Sequence, residues 1–301
     1  MTAGLYTARG GMRTLLIEKG ALGGTVLLTG QYDNFPGYPG GVSSFELAHR
    51  MEEHMRQFEP EVVLDKITAL RHLDSGPLFE LIGENGTYNA KSVILASGST
   101  PRMLDAPGIK KFFGKGISIC AVCDAGFYKE RDVAVIGGGD SAVEEGIYLT
   151  RFARSVKIVH RRDQLRARPE YVHAAFSNPK MEFVWDSVVV EVLGDDRVKG
   201  VVVRNTKTGE ESLLDVEGVF VYIGADGNTG FVELPLERDE LGYVKTGRLG
   251  ETNIPGLFAA GDVRDEPFNQ AIIACGHGAQ AALMAEKYVS AIPKEVLSKY
   301  E

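Results

Sequence analysis

The sequence has little of several features that define whole classes of protein. Three cysteines in 301 residues are too few for a disulfide-stapled secreted scaffold, so a reducing, cytoplasmic setting is expected. Basic residues are outnumbered by acidic ones, and the net charge of −8 disfavours nucleic acid or an anionic membrane as the main partner. No apolar stretch approaches the ~18 residues of a membrane span. The first nineteen residues also lack the basic region, apolar core and cleavage site of a signal peptide.

The chain instead alternates short apolar runs with helical stretches. At roughly 150 residues per domain, its length predicts two domains. Continuous apolar runs suit parallel strands that are buried on both faces. Strands are predicted at Thr14–Glu18, Ser92–Ala96, Asp132–Ile136, Val156–His160, Val219–Ile223 and Leu257–Ala260. Helices are predicted at Phe45–Phe58, Ser141–Phe152 and Ala271–Val289, and β-meanders at Ser187–Asn205 and Leu213–Val221. This alternation predicts a doubly wound α/β fold.

An internal repeat supports two copies of one unit. Gly4-Leu5-Tyr6 matches Gly146-Ile147-Tyr148, and Arg9 matches Arg151 at the same spacing. Each copy has the pattern of a helix followed by the second strand of a βαβ unit. The matched glycine, tyrosine and arginine favour a duplicated nucleotide-binding unit over chance similarity. The second copy also carries a strand and a glycine loop before its helix, whereas the first copy begins at Met1 without them.

The glycine loop of the second copy fits a dinucleotide site. Strand Asp132–Ile136 runs into Gly137-Gly138-Gly139-Asp140-Ser141-Ala142, a G-x-G-x-x-A pattern before a predicted helix. Gly137 permits the tight turn, Gly139 lets the pyrophosphate approach the backbone, and Ala142 allows close packing of helix on strand. The plain alternative is a glycine turn in an α/β protein.

The residues after the second strand of each copy indicate different nucleotides. His160, Arg161 and Arg162, followed by Arg166, suit the 2′-phosphate of NADP(H), although a solvated basic turn is the alternative. Glu18 at the matching position suits a ribose hydroxyl of an unphosphorylated adenosine, or is an ordinary charge at a strand end. The two half-sites therefore favour a pair such as FAD and NADPH.

A single C-x-x-C motif, Cys120 to Cys123, precedes the glycine loop and is followed by Asp124. No second pair of ligands accompanies it, so no metal site is predicted. In a cytosolic chain beside a βαβ unit the motif indicates a redox dithiol, and a helix beginning after Cys120 would lower the pKa of a thiolate there. Asp124 is close enough in sequence to shuttle a proton. Two buried structural cysteines are the alternative.

Two features near the C-terminus are less informative. Asp262, in a strand–Gly–Asp turn before the helix that begins near Ala271, can accept hydrogen bonds from sugar hydroxyls, but an ordinary turn fits as well. Cys275 lies in a helix rich in alanine and glycine, which favours a small core residue over a nucleophile.

Together these motifs resemble the bacterial low-molecular-weight thioredoxin reductases from Thr2 to about Val289. The resemblance rests on the order of C-x-x-C-D, the glycine loop, HRR-x-x-x-R and GLFAAGDV. It implies that Cys120, Cys123 and Asp124 are catalytic. It also implies NADP binding by Gly137, Gly139, Asp140, Ser141, Ala142, His160, Arg161, Arg162 and Arg166. The implied FAD residues are Glu18, Gly23, Gly24, Asn34, Ser97, Gly98, Gly261, Asp262, Val263, Asn269, Gln270 and Ala271.

The resemblance also implies an architecture and a reaction. Two Rossmann-like domains are expected, with an NADPH domain over 103–230 inserted in an FAD domain over 1–102 and 231–301. NADPH would reduce the flavin, the flavin would reduce the dithiol, and Cys120 would then attack thioredoxin while Cys123 stays nearer the flavin. Segments near Thr100–Met103 and Asp226–Gly230 are the hinge candidates for domain rotation. A cytoplasmic homodimer is expected.

The sequence departs from the family pattern at four places. Thr25 replaces the usual Gln, Asn269 the usual Arg and Val122 the usual Thr. The fourth is the start, where the first strand and glycine loop of the family would end at Met1. The hypothesis for this gap is a true start ~11–20 residues upstream, the length of one strand and a glycine loop. Two alternatives stay open, a reductase of another redoxin and a flavin-free NADP(H)-binding module.

Overall fold

The computed structural model describes residues 1–28, 31–73 and 78–293, which form two compact units. The discontinuous unit comprises Met1–Leu27, Phe35–Thr100 and Asp226–Glu301, and the inserted unit comprises Leu28–Asn34 and Pro101–Ala225. Of the FAD domain expected from the sequence, residues 29–30, 74–77 and 294–301 lie outside the described residues.

The helices and strands are numbered in chain order. The helices are α1 (Thr2–Arg9), α2 (Ser44–Arg56), α3 (Ile109–Phe112), α4 (Ala121–Asp124), α5 (Asp140–Leu149), α6 (Pro169–Phe176) and α7 (Ala271–Ser290). The first nine strands are β1 (Leu15–Glu18), β2 (Gln31–Tyr32), β3 (Val42–Ser43), β4 (Glu61–Leu64), β5 (Ile67–His72), β6 (Phe79–Gly83), β7 (Thr87–Ala90), β8 (Val93–Leu95) and β9 (Ser99–Pro101). The others are β10 (Ile117–Ser118), β11 (Asp132–Gly137), β12 (Ser155–Val159), β13 (Met181–Val184), β14 (Ser187–Gly194), β15 (Val198–Asn205), β16 (Glu211–Leu214), β17 (Gly218–Tyr222), β18 (Ala225–Gly227) and β19 (Leu257–Ala259). Among the described residues no helix is both long and apolar enough to cross a membrane.

The inserted unit is built on a five-stranded parallel sheet with the order β10-β17-β11-β12-β13. Strand β11 lies at its centre, and Val133, Ala134 and Val135 are fully buried there because side chains cover both faces of the sheet. Helix α5 begins three residues after β11 ends and buries Ala142 and Leu149 against one face. This β–glycine loop–α–β arrangement is the one that the sequence predicted.

The helix after the glycine loop is shorter than predicted, ending at Leu149 instead of Phe152. There the chain tightens into i→i−3 hydrogen bonds, from the Arg151 N–H to the Tyr148 carbonyl (3.1 Å) and from the Phe152 N–H to the Leu149 carbonyl (3.0 Å). The predicted meander is present as the antiparallel sheet β14-β15-β16. Its predicted last segment is divided, because Gly218–Tyr222 joins the parallel sheet beside β11 as β17.

The discontinuous unit combines parallel pairs with a second meander. Strand β1 pairs with β4 and β8 with β19, both in parallel, whereas β5, β6 and β7 form an antiparallel sheet that the sequence reading missed. Helix α1 packs closely on its neighbours because its contacts involve glycines. A Cβ atom on Gly4 would lie 3.2 Å from the Met55 sulfur of α2, and one on Gly278 of α7 only 3.1 Å from the backbone nitrogen of Ala3.

The ends of the long inserted segment lie beside each other. The chain enters the inserted unit at Pro101 and leaves it after Ala225. The backbone N–H of Arg102 donates a hydrogen bond to the carbonyl of Gly224 at 2.9 Å. Entry and exit are therefore neighbours, as in other inserted domains.

Candidate active site

The two cysteines of the C-x-x-C motif form a disulfide at the start of α4. Their Cα atoms are 5.4 Å apart. Cys120 is the N-cap of the helix, in an extended conformation, and the backbone N–H of Cys123 donates to the Cys120 sulfur at 3.2 Å. A positively polarised N–H beside a cysteine sulfur favours the thiolate. The helix start predicted after Cys120 is confirmed.

Neighbouring residues hold the backbone of this turn in place. The Ser118 hydroxyl oxygen accepts the N–H of Cys120 at 3.0 Å, and the buried Tyr222 hydroxyl oxygen accepts the N–H of Ala121 at 2.6 Å. Burial raises the pKa of Tyr222 well above its usual value, so its hydroxyl stays neutral. Strands β10 and β17, which carry Ser118 and Tyr222, thus position the disulfide.

Asp124 is half-buried at the end of α4, next to the disulfide. Burial raises the pKa of its carboxyl above the ordinary value, while a hydrogen bond from Ser118 acts in the opposite direction. A carboxyl whose pKa is raised by burial can hold a proton and release it to a nearby sulfur. Asp124 thus lies beside the cysteine pair, and its role as an acid–base group stays a prediction.

The glycine loop leaves space on one side only. Gly137 has a φ of 150°, and a Cβ atom there would lie 2.3 Å from the Tyr222 carbonyl oxygen. At Gly139, by contrast, a Cβ atom would meet nothing within 4 Å. Gly139 precedes the first turn of α5, whose N-terminus has no side-chain cap. Open space beside uncapped N–H groups fits a pyrophosphate.

Basic side chains lie at the carboxyl end of the next strand, β12. Arg161, Arg162 and Arg166 are exposed, and in the part of the chain that the structure describes none of them forms an ion pair with a carboxylate. The His160 ring is instead buried against Gly138, and burial together with the three arginines lowers its pKa. The loop thus offers unpaired guanidinium groups, which fit a 2′-phosphate, with a neutral histidine beneath them.

The residues expected to bind FAD lie at several loops, nearly all in the discontinuous unit. Glu18 ends β1 and accepts the N–H of Gly20 at 2.8 Å. Gly24 and Gly98 both have positive φ and open space where a Cβ atom would be. Gly23 is tighter, because a Cβ atom there would lie 2.9 Å from Leu27. Asn34 differs from the others in falling within the inserted unit.

Most of the remaining expected FAD residues lie around the start of α7. Gly261 has a φ of 71° and begins a short 3₁₀ turn that includes Asp262 and the buried Val263. Burial raises the pKa of Asp262. Asn269 and Gln270 precede the first turn of α7, which begins at Ala271 and lacks a side-chain cap. Ser97 donates through its hydroxyl to the Asn228 carbonyl at 2.7 Å, which fixes the neighbouring loop.

A buried arginine beside this turn was not predicted from the sequence. Arg264 is only 4 % exposed, and its Nη2 lies 2.8 Å from the Glu266 carboxylate while its Nε donates to Thr246 at 2.9 Å. Its Nη1 is buried without a hydrogen-bond partner among the described residues. An orphaned guanidinium N–H next to the turn at Gly261 fits a polar, anionic ligand such as a flavin nucleotide.

Among the described residues no group of three or more His, Cys, Asp or Glu side chains is arranged to hold a metal ion.

Comparison with known proteins identifies the family. The model of the pyridine nucleotide-disulphide oxidoreductases matches residues 1–278. A thioredoxin reductase of Peptoclostridium acidaminophilum is 43% identical over 97% of this chain and 94% of its own length. One of Streptomyces coelicolor is 44% identical over 98% and 92%. The crystal structure of thioredoxin reductase from Streptococcus pyogenes has a TM-score of 0.89 at 41% identity, covering 97% of this chain and 94% of that one.

These similarities favour neither alternative left open by the sequence, the reductase of another redoxin or the flavin-free module. The chain belongs to the pyridine nucleotide-disulphide oxidoreductase family, in the low-molecular-weight thioredoxin reductase group, whose members are two-domain flavoproteins that use FAD and NADPH.

Proposed function

We propose that the Cys120–Cys123 disulfide is the group through which this enzyme passes electrons from NADPH to the disulfide of thioredoxin. The observation that carries the proposal is the bonded cysteine pair at the start of α4, in the same unit as the glycine loop. FAD, when bound, relays two electrons from the nicotinamide to this disulfide. The inserted and discontinuous units supply the binding sites for the two nucleotides, and Asp124 supplies the proton.

The inserted unit is the proposed NADPH-binding domain. Gly137, Gly139 and Ala142 shape the loop, with Asp140 and Ser141 opening the helix that receives the pyrophosphate. The exposed Arg161, Arg162 and Arg166 bind the 2′-phosphate, and His160 supports the loop from below.

The discontinuous unit is the proposed FAD-binding domain. The open backbone at Gly24 and Gly98 and the turn at Gly261 and Asp262 are where the nucleotide would be held. The N-terminus of α7, at Ala271, faces the same turn through contacts between Gly261 and Ala274. Glu18 is the proposed partner of a ribose hydroxyl.

Thiol–disulfide exchange then follows from the geometry of the turn. Two electrons break the Cys120–Cys123 bond, and Asp124 supplies a proton to one sulfur. The Cys120 thiolate attacks a sulfur of the thioredoxin disulfide, which forms a mixed disulfide and releases a thiolate on thioredoxin. Cys123 returns its proton to Asp124 and attacks the Cys120 sulfur, which restores the internal disulfide and releases the second thioredoxin sulfur as a thiolate. The two thioredoxin thiolates then take up protons from solvent.

Counting thiols tests this assignment. Anaerobic addition of NADPH to the FAD-loaded enzyme is expected to expose two further alkylatable cysteines, mapped by peptide mass to 120 and 123. Cys275→Ser is the matched control, because Cys275 is a free cysteine on α7, outside the C-x-x-C motif. It should retain both new thiols and full thioredoxin reduction, whereas Cys120→Ser and Cys123→Ser should lose the activity. Labelling of Cys275 alone would refute the proposal.

The proposal includes a cytoplasmic homodimer. Equilibrium sedimentation across a range of protein concentrations tests the oligomeric state, with a single species of twice the 32.7 kDa chain mass expected. A monomer at every concentration would contradict it.

A further inference from the structure

A buried carboxyl group lies behind the turn that carries the two cysteines. Glu145 is on α5, and its Oε2 is fully buried without a hydrogen-bond partner among the described residues. The backbone N–H of Val122, the residue between Ala121 and Cys123, interacts with this carboxyl group. This side chain therefore points to the backbone that links the two sulfurs, and none of the site assignments above uses it.

The groups around Glu145 are acidic or neutral. Tyr222 of β17 faces it, Asp124 of α4 lies near that tyrosine, and Glu144 precedes it on its own helix. No lysine or arginine of the described residues forms an ion pair with it. Burial and the neighbouring Glu144 raise the pKa of Glu145 to about 7, although the Val122 N–H acts against this shift. In the oxidised enzyme Glu145 is therefore divided between its charged and neutral forms near neutral pH.

We propose that Glu145 is a positioning residue that couples proton uptake to reduction of the Cys120–Cys123 disulfide. The inference rests on the proposed role of that pair as the redox-active group. Glu145 does not touch the reacting sulfurs, and it acts through the charge that it places behind their backbone.

Two electrons, supplied by NADPH in the proposed reaction, enter the disulfide and break the S–S bond. Asp124 protonates one sulfur and regains its own proton from solvent, and the other sulfur remains a thiolate. The new negative charge raises the affinity of Glu145 for a proton, because like charges in a poorly solvated site repel each other. An ionised Glu145 then takes one proton from solvent, which offsets the thiolate charge.

The sign of the pH dependence follows from this coupling. Below pH 7 the carboxyl is already protonated in the oxidised enzyme, so reduction draws no extra proton there. Above pH 7 reduction is accompanied by the uptake of one proton by Glu145. The equilibrium constant for reduction therefore falls with pH more steeply than in an enzyme that lacks Glu145, by up to a further factor of ten per pH unit. For a two-electron couple that is ~30 mV per unit.

Equilibration against glutathione or thioredoxin buffers tests the proposal on the FAD-loaded enzyme. The oxidised fraction of Cys120 and Cys123 is read by alkylation and peptide mass between pH 6 and 8.5. Glu145→Gln keeps the shape of the side chain and removes its charge. The variant is expected to match the wild type at pH 6 and, at up to tenfold per pH unit above pH 7, to be up to about thirtyfold more readily reduced at pH 8.5. Glu182→Gln, which changes an exposed carboxylate on β13 that is not among the groups acting on Glu145, is the matched control and should follow the wild type.

Infrared difference spectra give a second readout that does not need a variant with native stability. Reduction of the wild type at pH 7.5 should add a protonated-carboxyl band, and the band should be absent from Glu145→Gln. Parallel pH curves for the wild type and Glu145→Gln, or a band retained in the variant, would overturn the inference. Failure of the proposed function would differ, because the cysteine pair would then resist reduction by NADPH in wild type and variants alike.

Discussion

Arg168 binds Asp140 through two separate groups, with its backbone N–H donating to Oδ1 at 2.7 Å and its Nε donating to Oδ2 at 3.0 Å. A further hydrogen bond runs from the Arg166 N–H to the Gly138 carbonyl at 2.7 Å. These bonds fasten the arginine loop after β12 to the glycine loop after β11. The guanidinium of Arg168 also lies 4.6 Å from the Tyr171 ring centroid, which fixes its orientation.

Loosening this connection should weaken NADP⁺ binding. Arg168→Ala removes only the exposed side-chain half of the contact, so a loss of about 1 kcal/mol or less, up to about fivefold in Kd, is expected. Asp140→Ala removes both halves and should cost more. Isothermal titration with NADP⁺ measures both. Arg154→Ala is the matched control, because it breaks an exposed ion pair with Asp132 at the opposite end of β11. Equal losses in all three variants would contradict this role for the connection.

The exposed arginines should set the choice of coenzyme. A hydrogen bond to a charged group contributes about 1.5–3 kcal/mol. Arg161→Ala or Arg162→Ala is therefore expected to lower kcat/KM for NADPH by about 10- to 100-fold while leaving kcat/KM for NADH nearly unchanged. Steady-state kinetics with both coenzymes measures the ratio. A parallel fall with NADPH and NADH would mean that the arginines act on folding or on the common part of the coenzyme.

Alanine substitutions at the two glycines of the fingerprint should have different effects, one on stability and the other on NADP⁺ binding. Gly137→Ala places a methyl group 2.3 Å from a backbone oxygen at a positive φ, so a loss of about 1–3 kcal/mol or more in the free energy of unfolding is expected. Gly139→Ala meets open space at a φ of −92° and should leave stability intact.

The same methyl group at residue 139 would occupy the space proposed for the pyrophosphate. The Kd for NADP⁺ should therefore rise at least about tenfold, the equivalent of ~1.4 kcal/mol. Denaturant unfolding and NADP⁺ titration of both variants separate the two effects. Tight NADP⁺ binding by Gly139→Ala would place the coenzyme elsewhere.

Asp124→Asn should lower the rate of thioredoxin reduction and raise the stability of the folded protein at pH 7. Loss of a proton donor costs typically 10²–10⁴-fold in rate, which rapid-mixing kinetics of reoxidation by thioredoxin would detect. Burial raises the pKa of Asp124 in the folded state, so the folded protein binds more protons than the unfolded one just above the ordinary Asp pKa. Stability contributed by this residue is thus lost as pH rises through that window.

The neutral asparagine avoids this loss, so Asp124→Asn should melt at a higher temperature than the wild type at pH 7 and at the same temperature near pH 3. Scanning calorimetry at the two pH values measures the difference. A lower melting temperature at pH 7 would show that the ionised carboxylate stabilises the fold.

The sequence predicted those parts of the fold that are determined by interactions within a short segment of the chain. Strand β11 was readable because a strand covered on both faces must be apolar throughout, and the glycine loop because only glycine fits beside the Tyr222 carbonyl. The sheet β5-β6-β7 could not be predicted in this way. Its strands are only partly buried, and the alternation of buried and exposed residues along them is weak. Its existence depends on pairing between segments, which composition does not show.

Glu145 and Arg264 show what was missed in the candidate site. Glu145 does carry a signal, because it lies three residues after Ala142 and four before Leu149, on the buried stripe of α5. A charged residue on an apolar helix face indicates a special environment. Arg264 has no such signal, because its burial comes from the packing of distant segments around Thr246 and His277.

The hydrogen bond between Arg102 and Gly224 bears on how such a molecule can arise. A stretch of more than a hundred residues that starts and finishes at one spot can be gained, removed or exchanged by a single recombination in the gene, and the host polypeptide keeps its path. Selection can then refine a coenzyme pocket and a flavin pocket as separate modules.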